Sequence, residues 1–358
     1  MTSPSGNLLS QAIKAWLLSN QGKKPTITDV AAIAEVSKKT VSRVTNHPES
    51  VKLATRKMIE TVMQGINYQP DAQARGLAFR HALLIGVIYD NPNPQYTVNV
   101  QQGILDGLKD TDYELLVHPS DRNQPDFVEK ARCFIIRQKL RGVILTPSIS
   151  EDEHMVSMLE EIGCDYVRIA SVKLNDEKHT LVSNDHVGGT LVARHLCELG
   201  HTRLAFVTGK KGFRSSQERL RGFESGLSEY EITLQAQYIA QGKYTFESGL
   251  DAGHKLLALS PLPTAIFAAN DEMAAGVLQA IQIQGLRVPN DISVVGFDDF
   301  QIAMNVWPRL STVHSPTREI GKLAVQHLLT SGENQLSAPQ SIPWMIERES
   351  SGPAGKTK

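Results

Sequence analysis

Residues 26–46 read TITDVAAIAEVSKKTVSRVTN. Thr26 and Asp29 are spaced as a capping box, in which a hydroxyl and a carboxylate three residues apart satisfy each other's backbone N–H groups. Ile27, Val30, Ala31 and Ala34 follow at i, i+3, i+4 and i+7, so one face of a short helix is apolar. After a turn of about three residues Ser37 can cap a second helix. There Val41 and Val44 face inward, while Lys38, Lys39, Ser42 and Arg43 lie on the outer side. A third amphipathic helix is expected from about Ala54 to Gly65, with Ile59, Val62 and Met63 as its buried set. Two short helices on a tight turn bury little alone, so the third must complete their core. In that architecture the second helix can enter a major groove. Arg43 suits bidentate contact with a guanine edge, and Lys38 and Lys39 suit bases or phosphates.

The bulk composition agrees with a polyanion meeting one end only. Residues 1–80 hold eleven Lys/Arg against five Asp/Glu, a net +6, which leaves −7 on the remainder of a chain with net charge −1. At 358 residues, two or three compact units are expected. Hydrophobic residues at 41% and charged residues at 21% describe a globular chain. No run approaches the roughly 18 apolar residues that span a bilayer. Met1–Gln21 lacks the order of parts of a signal peptide, so the expected address is cytoplasmic, with no membrane partner. Cys133, Cys164 and Cys197 are too widely spaced for a metal site or a disulfide framework. They read as small buried hydrophobes in a reducing compartment.

From Ala82 the pattern changes. Leu84–Tyr89, Tyr113–Val117, Gly142–Thr146 and Tyr166–Ala170 read as buried strands, separated by amphipathic stretches near 98–110, 124–139 and 152–162. A second series follows at Leu204–Val207, Tyr238–Ala240, Ala265–Ala268 and Ser293–Gly296. Strands alternating with helices imply parallel sheets covered on both faces, and two series imply two doubly wound lobes. Ligands of such sheets sit at the carboxyl ends of the strands. No G-x-G-x-x-G, phosphate loop, H-E-x-x-H or nucleophile elbow appears, so neither catalytic residues nor a cofactor are expected. His118, His201 and His254 lack partners at motif spacing, and His201 reads as a helix C-terminal cap.

The order and spacing of residues 26–31 and 36–44, then Thr55-Arg56, Ile66-Asn67-Tyr68-Gln69-Pro70 and Ala74-Arg75-Gly76-Leu77-Ala78, resemble the head of the LacI/GalR family of bacterial repressors. The resemblance implies DNA contact by Thr26, Lys38, Lys39, Thr40, Ser42, Arg43, Asn46, Tyr68, Ala74 and Leu77. It divides the chain into an N-terminal extension (1–24), a helix-turn-helix domain (25–69), a hinge (70–82), a two-lobed body (83–350) and a flexible tail (351–358). Leu77 would be an apolar wedge in the minor groove. Three positions depart from the family pattern. Glu35 stands in a turn where φ > 0 costs a side chain roughly 1 kcal/mol, Lys52 replaces a serine cap, and Asp71 brings a negative charge near phosphates. Within residues 1–24, Leu9, Ile13, Trp16 and Leu17 have helical spacing.

The body is similar to the family's periplasmic-binding-protein-like core through Gly200–Arg203, Arg219–Phe223, Asn270–Ala274, Gly285–Ser293, Val295–Asp299 and Leu310–Val313. This implies an N-lobe of 83–201 plus 315–340 and a C-lobe of 202–314 plus 341–350. Carried over residue by residue, the expected ligand contacts are Asp90, Asn91, Tyr96, Thr146, Ser148, Asp185, Ser215, Arg219, Tyr244, Asn270 and Asp298. Arginine, carboxylates, an amide and an aromatic ring suit a polyhydroxylated ligand. Lys210 and Lys211 keep a sugar phosphate open. The implied protein is a homodimeric repressor of carbohydrate-utilisation genes, bound to a near-palindromic operator and released by a sugar effector. The alternatives are a co-repressor-dependent regulator and a non-regulatory small-molecule binding protein.

Overall fold

The computed structural model describes residues 4–46, 48–69, 83–330 and 342–355. The chain divides into two units, Met1–Ala82 and Leu83–Lys358. The expected hinge, with Asp71, Ala74 and Leu77, lies outside the described residues.

The described residues of the first unit form four helices: α1 (Pro4–Ser19), α2 (Ile27–Ile33), α3 (Lys38–Asn46) and α4 (Leu53–Gly65). The Thr26/Asp29 capping box starts α2, and Ser37 Oγ accepts from Thr40 N (3.1 Å) at the start of α3. Val30, Val41, Ile59 and Val62 are fully buried in one core, joined by Ala31, Ala34, Val44 and Ile66, with Met63 partly buried at its edge. Lys52 caps nothing with its side chain, and Glu35 has φ 50°. Leu9, Ile13 and Trp16 of α1 pack against this core. The N-terminal extension therefore supplies a fourth helix to the head.

The second unit carries two sheets. The first has order β2-β1-β3-β4-β5, all parallel, from β1 (Leu84–Tyr89), β2 (Glu114–Pro119), β3 (Gly142–Leu145), β4 (Asp165–Ala170) and β5 (Thr180–Val182). One face is covered by α5 (Pro94–Leu108) and α13 (Thr317–Leu329), through Val100, Ile104, Ile320 and Ala324. The other is covered by α6 (Phe127–Gln138) and α7 (Glu153–Glu161), through Phe134, Met155 and Leu159. The second sheet runs β7-β6-β8-β9-β10-β11, from β6 (Leu204–Thr208), β7 (Ile239–Gln241), β8 (Ala265–Ala268), β9 (Ser293–Asp298), β10 (Ser311–His314) and β11 (Trp344–Ile346). Only β11, at an edge, is antiparallel. Around this sheet lie α8 (Asp185–Glu198), α9 (Arg214–Ser228), α10 (Phe246–Leu257), α11 (Asp271–Ile283) and the short α12 (Gln301–Asn305). No helix among the described residues is long and apolar enough to cross a membrane.

Four expectations need correction. The chain enters the second lobe with α8, near residue 184 rather than 201, since Val192, Ala193 and Leu196 are buried in that lobe's core. Helices α8 and α9 meet at backbone distance. A Cβ on Gly189 would strike the Arg219 carbonyl, and one on Gly222 the His186 carbonyl. Strands β5, β10 and β11 went unread, because runs of three or four residues, polar in β10, carry no periodicity. Residues 351–355, the described part of the expected flexible tail, are docked: Ser351 Oγ pairs with His195 Nε2 (2.8 Å), and Ala354 N donates to Leu199 O (2.8 Å). His201 ends α8 through its backbone, donating to Leu196 O beside Gly200 at φ 85°. Its imidazole is turned inward, with Nε2 donating to Gly352 O (3.0 Å) and Nδ1 beside Thr264 Oγ1 (3.0 Å).

Candidate functional site

On the head, α3 presents Lys38, Lys39 and Arg43 to solvent, with Thr40 and Ser42 half-buried beside them. Helix α3 also carries Asn46 near its end. Thr26 is exposed at the start of α2, and its hydroxyl donates to Asp29 Oδ2 (2.6 Å). The hydrogen bonds from Thr26 hold the Asp29 carboxyl below its ordinary pKa. Tyr68 is half-buried against the head core.

In the body, the carboxyl ends of the strands of both lobes surround one polar cleft, the place where ligands of such sheets bind. From the second lobe it receives Ser215 and Arg219 on α9, Tyr244 after β7, Asn270 after β8 and Asp298 at the end of β9. Asp185, which opens α8, faces them. From the first lobe come Asn91 after β1 and Tyr96 on α5. Eight of the eleven expected ligand contacts therefore line one cavity. Asp90, Thr146 and Ser148 do not. Ser148 donates through N (3.2 Å) and Oγ (2.9 Å to Oδ2) to Asp90, which also lies 3.7 Å from Arg122 Nε. Asp90 and Ser148 thus have their polar groups turned on one another, while the buried Thr146 hydroxyl has no hydrogen-bond partner.

Arg219 is the electrostatic centre. Its Nε donates to Asp185 Oδ1 (2.7 Å), its Nη1 to the Ala269 carbonyl, and its Nη2 lies 3.3 Å from Asp298 Oδ1. Its guanidinium also sits 3.7 Å from the centroid of the Phe297 ring. Burial alone would lower its pKa, but Asp298 and Asp185 outweigh that and hold it above the ordinary arginine value. Asp298 is 5% exposed. Burial pushes its carboxyl up to about 7 against the opposing pull of Arg219. Burial likewise raises Tyr244 to about 12 and Tyr96 further still. Tyr244 (φ 67°) and Asp298 (φ 111°) hold backbone conformations that side chains rarely adopt. Strain of this kind gathers where packing over-determines a functional site.

Several side chains at the site have local duties. Asn270 caps α11 by accepting from Met273 N (3.0 Å) and donates to Tyr244 O (3.2 Å). Tyr244 Oη is 3.0 Å from Ser215 Oγ. The residue preceding α12 is Phe300, two positions beyond Asp298. Asp271, fully buried, accepts instead from Phe300 N (2.8 Å) and Thr312 Oγ1 (2.6 Å), and so fixes the loop that carries Asp298. Burial first, and then the neighbouring Asp298, drive its pKa well upward.

The sequence reading missed Asn93, Pro147, Ser171, Ser183, Ser315, Thr317 and Ile320. Ser171 and Ser183 follow β4 and β5, so the strand-end rule applied to those strands would have found them. Asn93 was findable as the N-cap before Pro94. Ser315, Thr317 and Ile320 arrive on the return crossing into the first lobe, for which no local pattern exists.

A head with a solvent-facing basic helix and a body with a polar cleft between two lobes define a class: DNA-binding regulators that respond to a small ligand. Comparison with known proteins places the chain within it. Residues 26–71 match the bacterial regulatory proteins of the lacI family, and residues 193–351 match a periplasmic binding protein-like domain. The probable HTH-type transcriptional repressor ExuR of Bacillus subtilis is 34% identical over 85% of this chain and 91% of its own length. The ribose operon repressor of Haemophilus influenzae is 31% identical over 86% and 92%. Among solved structures, the lac repressor dimer bound to operator and an anti-inducer superposes with TM-score 0.79 at 28% identity, covering 92% of this chain and all of the other. The chain belongs to the lacI family of bacterial regulatory proteins and is a DNA-binding transcriptional regulator.

Proposed function

We propose that the protein represses carbohydrate-utilisation genes as a cytoplasmic homodimer, binds a near-palindromic operator through α3 of each head, and is released when a sugar occupies the cleft. One observation carries the ligand half of this reading. Three side chains lining the cleft each keep a buried polar atom without a hydrogen-bond partner: Asn93 Nδ2 and Ser171 Oγ from the first lobe, Asp298 Oδ1 from the second. An unmet buried donor or acceptor costs about 1–3 kcal/mol. A ligand with several hydroxyls meets donor and acceptor needs at once, and draws both lobes onto itself. Two comparisons support the rest: one relative is named as a ribose operon repressor, and the lac repressor is a dimer on its operator. No turnover of the ligand is expected. Asn91 and Tyr96 in the first lobe, and Ser215, Arg219, Tyr244, Asn270 and Asp185 around the second, form the walls; Arg43, Lys38, Lys39, Thr40 and Ser42 read the duplex.

The test is a gel shift on the DNA upstream of the protein's own gene, repeated across mono- and disaccharides. A specific complex dissolved by one sugar is the expected result. No preference for any inverted repeat over random duplex would overturn the DNA reading. A sugar that tightens the complex would reverse the sign of control and leave the cleft assignment intact.

A further inference from the structure

The cleft's charges narrow what it can hold. Among the described residues, Arg219 is the one cationic side chain lining it, against two carboxylates, Asp185 and Asp298. All three of its nitrogens already face acceptors: Asp185, the Ala269 carbonyl and Asp298. One face of the guanidinium lies on Phe297. A third carboxylate, Asp271, is buried behind Asp298. Cations on the neighbouring loops are also engaged. Arg122 reaches across the lobes to donate to the Gly212 carbonyl (2.7 Å), and Arg214 lies 3.6 Å from Glu151. Lys210 sits over the Phe213 ring at 5.4 Å, and neither it nor Lys211 lines the cleft. The lining side chains thus carry a net charge of −1 with both carboxylates ionised, and zero with one protonated.

We propose that the effector is an uncharged polyhydroxylated molecule, and that the same cleft refuses its carboxylate and phosphate derivatives. This rests on the cleft being the effector site. An anionic group placed there would be a buried charge with no spare cation, and burying an unpaired ion is among the costliest things a binding site can do. Hydroxyls face no such cost. They accept from Asn93 Nδ2 and pair with Ser171 Oγ, two buried lining atoms left without a hydrogen-bond partner, and can donate to Asp298, whose Oδ1 has Arg219 Nη2 only at ion-pair distance (3.3 Å). The sugar phosphate left open by the Lys210–Lys211 pair in the sequence is set aside on these grounds.

The full-length protein is tested by thermal shift and titration calorimetry against matched sets: glucose, glucuronate and glucose 6-phosphate; galactose and galacturonate; ribose and ribose 5-phosphate; xylose and xylonate. The expected result is one neutral sugar binding at least about a hundredfold more tightly than its anionic counterparts. An acid or phosphate binding as tightly as its neutral parent overturns the charge argument while the cleft remains a carbohydrate site. No binding by any member, nor by any disaccharide of the gel-shift series, overturns both. Asp298→Asn supplies a second arm. It should weaken the neutral sugar by about tenfold or more while narrowing the gap to the anion, because one negative charge has gone. A loss equal for both would contradict the assignment.

Discussion

Arg43 and Asp298 show how one side chain acquires a role from its surroundings. Arg43 is solvent-exposed on α3, so its guanidinium is available for a planar base edge. Replacing it with Ala should cost about 1–3 kcal/mol on the operator and relax preference at one base pair. Competition gel shifts with single-base variants measure this; a uniform loss on every sequence would make Arg43 a phosphate contact. Asp298 owes its behaviour to burial. Its folded pKa of about 7 stands above the ordinary 3.8, so the folded state retains a proton that the unfolded chain has released. The stabilisation from that protonated form is complete below the unfolded value and is lost as pH rises through about 7. Ligand-free wild type should therefore lose thermal stability relative to Asp298→Asn as pH rises from about 4 to about 7, and run parallel to it above that, read from paired melting curves. Curves parallel over the whole range would show that Asp298 stays ionised throughout.

Elements of the head carry two imperfections and one support. The turn between α2 and α3 holds Glu35 at φ 50°, a conformation that glycine adopts without steric cost. Glu35→Gly should stabilise the head by roughly 0.5–1 kcal/mol, after allowing for glycine's greater chain entropy. Denaturant unfolding of the head transition checks it, and a loss of stability would mean that the glutamate side chain has contacts worth more than the strain. Helix α4 begins at an uncapped Lys52. Against these stands α1, whose Leu9, Ile13 and Trp16 extend the core of a unit too small to bury much by itself. Ile13→Asp should destabilise the head by about 1–3 kcal/mol and weaken operator binding, while calorimetric effector binding stays unchanged. Unaltered head unfolding would show that α1 contributes nothing to the core.

Across the whole body, the chain's end is tied to its middle. His195 and His201, both held below their ordinary pKa by burial, meet Ser351 and Gly352. Because their folded pKa values are depressed, the body loses stability as pH falls below the usual histidine range of about 6.5. Truncation after Ser350 should lower body stability by about 1–3 kcal/mol, since it leaves buried imidazole nitrogens short of partners. Thermal unfolding with intact operator affinity is the expected readout, and an unchanged melting temperature would mean that the segment adds no net stability. The amino-acid sequence by itself determined the head helices, most strands and the cleft's principal residues. Capping, 3.6-residue and alternating patterns act over a few neighbours, and Arg219, Asn270 and Asp298 stand in recognisable runs. Tertiary structure decided the rest. It set the lobe boundary at α8, the glycine contact that brings Arg219 to Asp185 thirty-four positions away, and the arrival of Ser315 and Thr317. It also decided which polar atoms were left unmet. Those outcomes depend on packing between distant segments, and no local pattern records how much charge a cavity has already neutralised.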